Sequence, residues 1–370
     1  MTTAALELPA TAETSASGPR SRGRGPALAL SAARRVVGGL IVILCVITVT
    51  FLVTRVFAPD PTNLFLGGSG NGFASAAAEA AARVRVRASL GLDRPLVEQY
   101  VSFLGQVVRG DLGTSFQTGQ SVRGDLFTRL PATAELAVYA LLVGVTLGIA
   151  VGVLAAVRPG GWFDRVARFL TIGAIAMPQF WIGLMLLWLF SVKWQVLPGP
   201  IGRLPVGDVP PRHLTGFYVV DALLTGQWSL AGSAALHLIL PVLTLALGLA
   251  APIAKVVRTS MREALSSDYV RTAAALGFGN RRIWFGYALK NGLVPVVTIL
   301  AGIVAYTLCG SILVEGIFGW PGIGNYSLQA IQTSDFPVIQ GFVLYAAVLY
   351  VVLYEGLAIV YGYVDPRTRR

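Results

Sequence analysis

Apolar residues in this chain gather into long unbroken runs, separated by shorter segments that carry most of its charge. A bilayer core takes roughly 20 apolar residues of helix per crossing. Six stretches meet that length: Val36–Phe57, Glu135–Val157, Phe169–Val192, Leu236–Val257, Asn291–Val314 and Val338–Tyr363. The pattern predicts an all-α polytopic membrane protein with six transmembrane helices. The first run exceeds the roughly 7–15 apolar residues of a cleaved signal peptide, so it reads as a retained span. Pro178, Pro241 and Pro295 fall within or at the ends of spans, which membrane helices tolerate when neighbours satisfy the freed carbonyls.

The segments between the runs have distinct characters. Residues 1–35 are small and polar, then basic, and read as a disordered cytoplasmic start. Residues 58–134 form an outer segment too long for an idle connection. Within it Gly67–Gly72 is flexible, and Pro95 opens a helix with Leu96, Tyr100, Phe103, Leu104 and Val107 on one face. That helix is either a cap on the membrane domain or a docking surface for a delivery protein. Residues 135–365 carry the other five spans, with a polar loop at 260–290, and 366–370 form a short tail.

Composition sharpens this picture. The 370 residues are 55% hydrophobic and 13% charged, against about 25% charged in soluble domains. A net charge of +11 would suit a nucleic-acid binder only if the cations striped one soluble domain. They fall between apolar runs instead, so nucleic acid is not an expected partner and lipid is. Arg20, Arg22, Arg24, Arg34 and Arg35 precede the first span; Arg158, Arg165 and Arg168 lie between the second and third. Arg258, Arg262, Arg271, Arg281, Arg282 and Lys290 lie between the fourth and fifth, and Arg367, Arg369 and Arg370 follow the sixth. Lys and Arg mark the cytoplasmic side. Both termini are therefore expected in the cytoplasm, in a multi-pass protein of the cell membrane.

Few groups suggest catalysis. Cys45 and Cys309 lie in apolar runs, and His213 and His237 belong to no metal-binding spacing, so no metal site is expected. Lys193, Lys255 and Lys290 follow Val192, Ala254 and Leu289, so none completes a phosphate-binding Gly-Lys-Ser/Thr loop. No Ser/His/Asp set or carboxylate pair suggests an enzyme, and no cofactor is expected in this chain. Arg55, Lys255 and Glu355 are the main titratable groups in the spans, few for an ion-coupled carrier. Glu355 is either a proton site or the partner of a cation on a neighbouring helix or subunit.

Two short segments remain. Ser267 or Asp268 can cap a helix that Gly277 and Gly279 break, and Asn280 can cap a second helix over Arg281–Leu289. Ala273, Ile283, Trp284 and Tyr287 provide apolar positions, while Arg271, Arg281 and Arg282 make the elbow cationic. The elbow is either a lipid-surface helix or a docking element for an acidic partner surface. Gly319–Asn325 is too rich in Gly and Pro for a helix. It is either a tight turn or a re-entrant one, with Phe318, Trp320 and Asn325 at an external mouth and Asp335 near a docking surface. Met177, Gln179 and Phe180 around Pro178 are expected to line a path through the membrane.

The elbow, SDYVRTAAALGFGNRRIWFGYALKNGLVPVV, resembles the cytoplasmic coupling (EAA) loop of ATP-driven importer permeases, in the B-subunit form of the dipeptide, oligopeptide and nickel family. Arg271-Thr272-Ala273 stands where the wider superfamily has Glu-Ala-Ala. Leu90–Val122, Leu130–Ala137 and Val314–Gly341 are similar to further segments of that family, in order. The resemblance implies a type I importer permease, working by alternating access and forming half of a peptide pathway. It implies a second homologous permease, two ATPase subunits or domains holding ATP and Mg, and an extracytoplasmic substrate-binding protein as partners. On that reading Asp268, Arg271, Ala273, Gly277, Arg281, Arg282, Ile283, Trp284 and Tyr287 belong to the ATPase-coupling loop. A nickel-chelate importer of the same family, an ion-coupled carrier and a membrane scaffold are the alternatives.

Overall fold

The computed structural model describes residues 24–57, 80–81, 84–85, 87–88 and 93–364. Residues 1–23, Gly67–Gly72 and the tail 366–370, to which the sequence assigned a disordered start, a flexible run and a cytoplasmic end, lie outside the described residues. Helix α1, Arg24–Leu52, starts before the apolar run, so residues 24–35 are helical where disorder was expected. Pro26 sits in its first turn, where a missing N–H removes no helical bond. The chain forms two compact units, residues 1–42 and 43–370. In the first, Val36, Val37, Leu40 and Ile41 of α1 are exposed, as lipid-facing side chains of a single helix would be.

The second unit continues α1 through a π-wound end, Val53–Phe57, and then adds α2, Leu96–Val108. Pro95 is the N-cap of α2. Tyr100 and Phe103 of α2 pack on Phe51, with ring centroids 5.3 and 5.6 Å apart, and Thr48 shares a hydroxyl hydrogen bond with Tyr100. Two long helices follow: α3, Val122–Val157, and, three shorter helices later, α7, Trp228–Leu265. At 1.5 Å per residue the 36 residues of α3 reach about 54 Å, well beyond a hydrocarbon core. The sequence placed this span's start at Glu135; the helix starts at Val122 because the residues before the apolar run also form helix.

Glycine sets how α3 meets α7. Gly144, Gly148 and Gly152 recur at every fourth position and face Ala246, Ala250 and Ala254 of α7. A Cβ on any of the three would stand 2.9–3.0 Å from the opposing carbonyl oxygen. Close approach through small residues replaces the hydrophobic drive that lipid does not supply. Pro131 in α3 and Pro241 and Pro252 in α7 lie inside these helices.

The third expected span is not one straight helix. Helices α4, Trp162–Ala176, and α5, Gln179–Leu187, the latter extended by a π-wound turn to Lys193, meet at 107°. Pro178, which lacks an N–H, stands in extended conformation at the break. Helix α6, Tyr218–Leu224, follows in the connection to α7.

Beyond α7 come α8, Asp268–Ala275, a π-wound stretch Arg282–Ala288, α9, Leu289–Gly292, and α10, Val294–Gly310. Then follow α11, Ile312–Ile317, α12, Ile323–Gln332, and α13, Phe336–Val364. Among the described residues four helices are long and apolar enough to cross a membrane, and up to six spans result if each of two bent pairs counts as one. Among the described residues no strand forms; Thr114 and Ser121 make an isolated bridge.

Candidate functional site

The elbow folds as two short helices hinged on glycine. Ser267 is the N-cap of α8, without a side-chain cap bond. Gly277 takes φ +81°, a left-handed conformation that other residues adopt under strain, while Gly279 has no such requirement. The N–H groups of Gly277 and Phe278 close the end of α8 on the carbonyls of Ala274 and Ala273. Asn280 is already helical; the carbonyl that accepts the first bond of the second helix, from Ile283, belongs to Gly279. The expected cap at Asn280 thus moves back one residue.

The packing inside the elbow separates its apolar residues into two sets. Val270, Ala273 and Ile283 are buried against one another, with Phe278, Trp284 and Tyr287 half-buried around them. Phe278 stacks on Tyr287, centroids 5.8 Å apart, and the Arg282 guanidinium lies 4.4 Å from the Phe278 ring. Ala273 and Ile283 therefore hold the elbow together and offer little surface to anything outside. Leu276, Phe285 and Tyr269 are instead 69%, 58% and 40% exposed, and Arg271 and Arg281 are exposed too. Asp268 pairs with Arg271 at 3.6 Å, an exposed contact of small energetic weight.

A buried ion pair ties the elbow's root to the neighbouring connection. Asp164, at the start of α4 and only 1% exposed, accepts two hydrogen bonds from the Arg258 guanidinium of α7 and one from the Gly160 amide. A bidentate guanidinium–carboxylate pair fixes orientation as well as distance. Arg258 was legible only as a topology-setting cation, and Asp164 carried no separate signal.

The junction of α3, α11 and α12 is organised around a second buried carboxylate. Glu315 of α11 accepts from the hydroxyls of Thr133 and Ser311, both 2.8 Å, and from the Asn325 amide at 2.9 Å. Thr133 in turn accepts from the Ile323 amide, and Trp320 donates its indole N–H to the Ala132 carbonyl at 2.8 Å. Gly322 and Gly324 are required because a Cβ on either would overlap Glu315.

Phe318 and Trp320, placed at an external mouth by the sequence, are 3% and 1% exposed. They are buried because the loop at 199–203 folds over them: the Gly202 amide donates to the Phe318 carbonyl, and Gly319, φ +62°, abuts Pro200. Arg203 from that loop pairs with buried Glu135 of α3, donates to the Gly216 carbonyl and stacks on Tyr218. The turn at 319–325 is thus a packed junction. Asn325 belongs to it through its backbone, not through a mouth. Asp335 is also buried, accepting from Ser115 and Gln117. Tyr326 donates to Asp125 at 2.7 Å, and burial together with that bond pushes its phenol up to about 12.

These contacts join two segments that looked separate in sequence: Leu130–Ala137, which carries Thr133 and Glu135, and Val314–Gly341, which carries Glu315 and Trp320. Of the expected path residues, Met177 and Phe180 are exposed at the α4–α5 break, and Gln179 is half-buried with its amide against Gly248 of α7. Glu355 is half-buried and makes no ion pair among the described residues.

A family profile described as the inner-membrane component of binding-protein-dependent transport systems matches residues 148–370, and its N-terminal companion matches residues 31–137. The probable D,D-dipeptide transport system permease protein DdpB of Escherichia coli K12 is 39% identical over 333 residues, 90% of this chain and 95% of that protein. The di/tripeptide transport system permease protein DppB of Pseudomonas aeruginosa is 38% identical over 322 residues, 86% of this chain and 93% of that protein. The probable peptide transporter permease y4tP of Sinorhizobium fredii is 35% identical over 337 residues, 91% and 98% of the two chains. With both profiles matched in order around the glycine-packed α3–α7 pair, the chain belongs to the inner-membrane components of binding-protein-dependent transport systems, as a multi-pass permease subunit of the cell membrane.

Proposed function

We propose that this permease forms half of a peptide pathway and works by alternating access driven by separate ATPase subunits. The peptide cargo rests on relatives named for dipeptide and di/tripeptide transport across nearly their whole length. Both termini and the elbow lie in the cytoplasm, following the placement of arginine along the chain. A second homologous permease completes the pathway, and an extracytoplasmic binding protein delivers the substrate.

The observation that carries the coupling role is the split of the elbow into a packed seam and an exposed face. Leu276 and Phe285 are the apolar groups that meet the ATPase, at about 25 cal/mol for each Å² buried. Arg271 and Arg281 orient that contact, and Gly277 lets the two helices take their relative angle. Movement of the elbow passes into α7 directly and into α4 through Arg258 and Asp164.

The test is reconstitution. The complex of this chain with its sister permease and ATPase subunits, in liposomes, is expected to hydrolyse ATP faster when the binding protein carries a dipeptide, and to accumulate that dipeptide. Accumulation by this chain alone, driven by an ion gradient, would sink the proposal.

A further inference from the structure

A cavity of about 530 Å³ opens beside the end of the first span, outside the coupling elbow and the Glu315 junction. Its wall comes from Thr54 and Arg55, from α2, from residues 112–119 and from the start of α13. Arg55 and Arg94 line it, and no Asp or Glu does among the described residues. Arg55 is half-buried and makes no hydrogen bond or ion pair among the described residues. Taking a guanidinium partly out of water without an acceptor is unfavourable, and an oxyanion would supply what is missing. Asp335, behind the wall, is directed to Ser115 and Gln117.

The remaining lining is both polar and apolar. Gln106 and Ser102 present amide and hydroxyl groups, and Gln340 is fixed by its bond to Thr54. Phe103 and Phe336 provide an apolar side. The cavity opens at Arg55, the last residue of the first candidate span, and apolar residues are exposed on the other faces of the helices that line it. Val49, Leu52 and Val53 at the end of the span are 59%, 44% and 50% exposed, and Val97, Val101 and Val108 of α2 are 73%, 63% and 81% exposed. Helix α2 buries none of its residues fully, which suits an amphipathic helix lying at a membrane surface.

We propose that this cavity binds the phosphate headgroup of a phospholipid at the outer membrane surface, with Arg55 and Arg94 on the phosphate and the glycerol against Phe103. A lipid fits better than a free anion because the cavity lies at Arg55, where the first apolar span ends and headgroups border the hydrocarbon core. The outer placement rests on the topology given above; the binding chemistry does not.

The test uses the assembled importer in detergent, stripped of lipid and titrated with palmitoyl-oleoyl-phosphatidylglycerol, with retained lipid counted by native mass spectrometry. Arg55→Gln is expected to retain at least one lipid fewer than the unaltered complex, Arg55→Lys to restore it, and Arg94→Gln to weaken retention several-fold. Inorganic phosphate and dialanine are expected not to displace the lipid. Equal retention in Arg55→Gln overturns the proposal. Displacement by dialanine overturns it too, because the site would then read a peptide carboxylate. If Arg55→Gln fails to assemble, Arg94→Gln, altered at an exposed position, decides alone: unchanged retention overturns the proposal. Stimulation of ATP hydrolysis by loaded binding protein, measured on the same samples, reports separately on the transport function.

Discussion

Gly148 of α3 lies so close to α7 that a Cβ added to it would stand 2.9 Å from the Ala250 carbonyl oxygen and 2.8 Å from Ile253 Cβ. Neither is the free end of a flexible chain, so the helices themselves must separate to admit a methyl group. Gly148→Ala is expected to destabilise the protein by about 1–3 kcal/mol, the range for overpacked cores. Gly173→Ala, where nothing lies within 4 Å, is the control and is expected to be neutral. Thermal unfolding in detergent compares the two; equal melting temperatures would mean that α3 and α7 do not meet this closely.

Trp320 distinguishes a junction from a gate. Its ring is buried and its N–H reaches Ala132, so Trp320→Ala is expected to lower stability by about 3–5 kcal/mol and reduce the yield of folded protein. Trp320→Phe keeps most of the ring but loses the bond to Ala132, whose carbonyl retains its helical donor, at about 0.5–1.5 kcal/mol. Melting temperatures and a solute-leak assay on the same samples separate the roles. A normal melt with raised leak would restore the gate reading.

The α-helical class, the apolar runs and the elbow's two-helix form were legible because each rests on local pattern: hydropathy, proline, glycine. Gly277 could be placed in its turn from one residue type. The functions of Ile283 and Trp320 could not, because an apolar residue looks the same in sequence whether it faces a partner or its own core. Glu135, Asp164 and Glu315 escaped notice for a related reason. Each is a lone acid along the chain, and its partner, Arg203, Arg258 or Thr133, is brought to it only by tertiary packing. The break at Pro178 was visible as a proline, but its 107° angle depends on what packs around it.

The pair Asp164–Arg258 predicts a coupling defect with a chemical signature. Removing Arg258 leaves the buried Asp164 carboxylate with only the Gly160 amide and a 3.9 Å contact to Arg168, so Arg258→Ala is expected to destabilise by about 1–3 kcal/mol. Arg258→Lys keeps charge but loses the bidentate geometry. It is expected to assemble and yet show weaker stimulation of ATP hydrolysis by loaded binding protein. Full stimulation with Arg258→Lys would show that orientation through this pair is not required.

Asp221 gives the connection between α5 and α7 a pH dependence. Burial pushes its carboxyl up, but bonds from the Thr215 hydroxyl and amide and from the Gly216 and Leu214 amides outweigh that and hold it below the usual range. A depressed folded value means the stabilisation is complete above the unfolded value of about 3.9 and is lost as pH falls through the folded one. Asp221→Asn is therefore expected to melt below the unaltered protein at pH 7, with the gap closing only under pH 3.9. A gap that is constant down to the lowest accessible pH would show that the charge on Asp221 contributes nothing.

The elbow carries the most discriminating prediction, because its two sets of residues fail differently. Gly277 has φ +81° and no atom near a would-be Cβ, so the penalty for replacing it comes from the backbone and not from crowding. A strained residue there costs about 1–3 kcal/mol, least for Asn, which tolerates the left-handed region, and most for a β-branched residue. Gly277→Val is expected to shift the helices and uncouple ATP hydrolysis from the loaded binding protein, and Gly277→Asn to retain most of the coupling. Phe285→Ser removes an exposed apolar group and leaves the Ile283 seam alone, so the permease should keep its melting temperature while binding the ATPase less tightly. Ile283→Ser has the opposite profile: it lowers the melting temperature because a hydroxyl enters the packed seam. Melting curves, ATPase pull-down and stimulated hydrolysis on these variants decide the matter. Attachment unchanged in Phe285→Ser and in Leu276→Ser would mean that this face meets lipid, and the docking role assigned to it would be wrong.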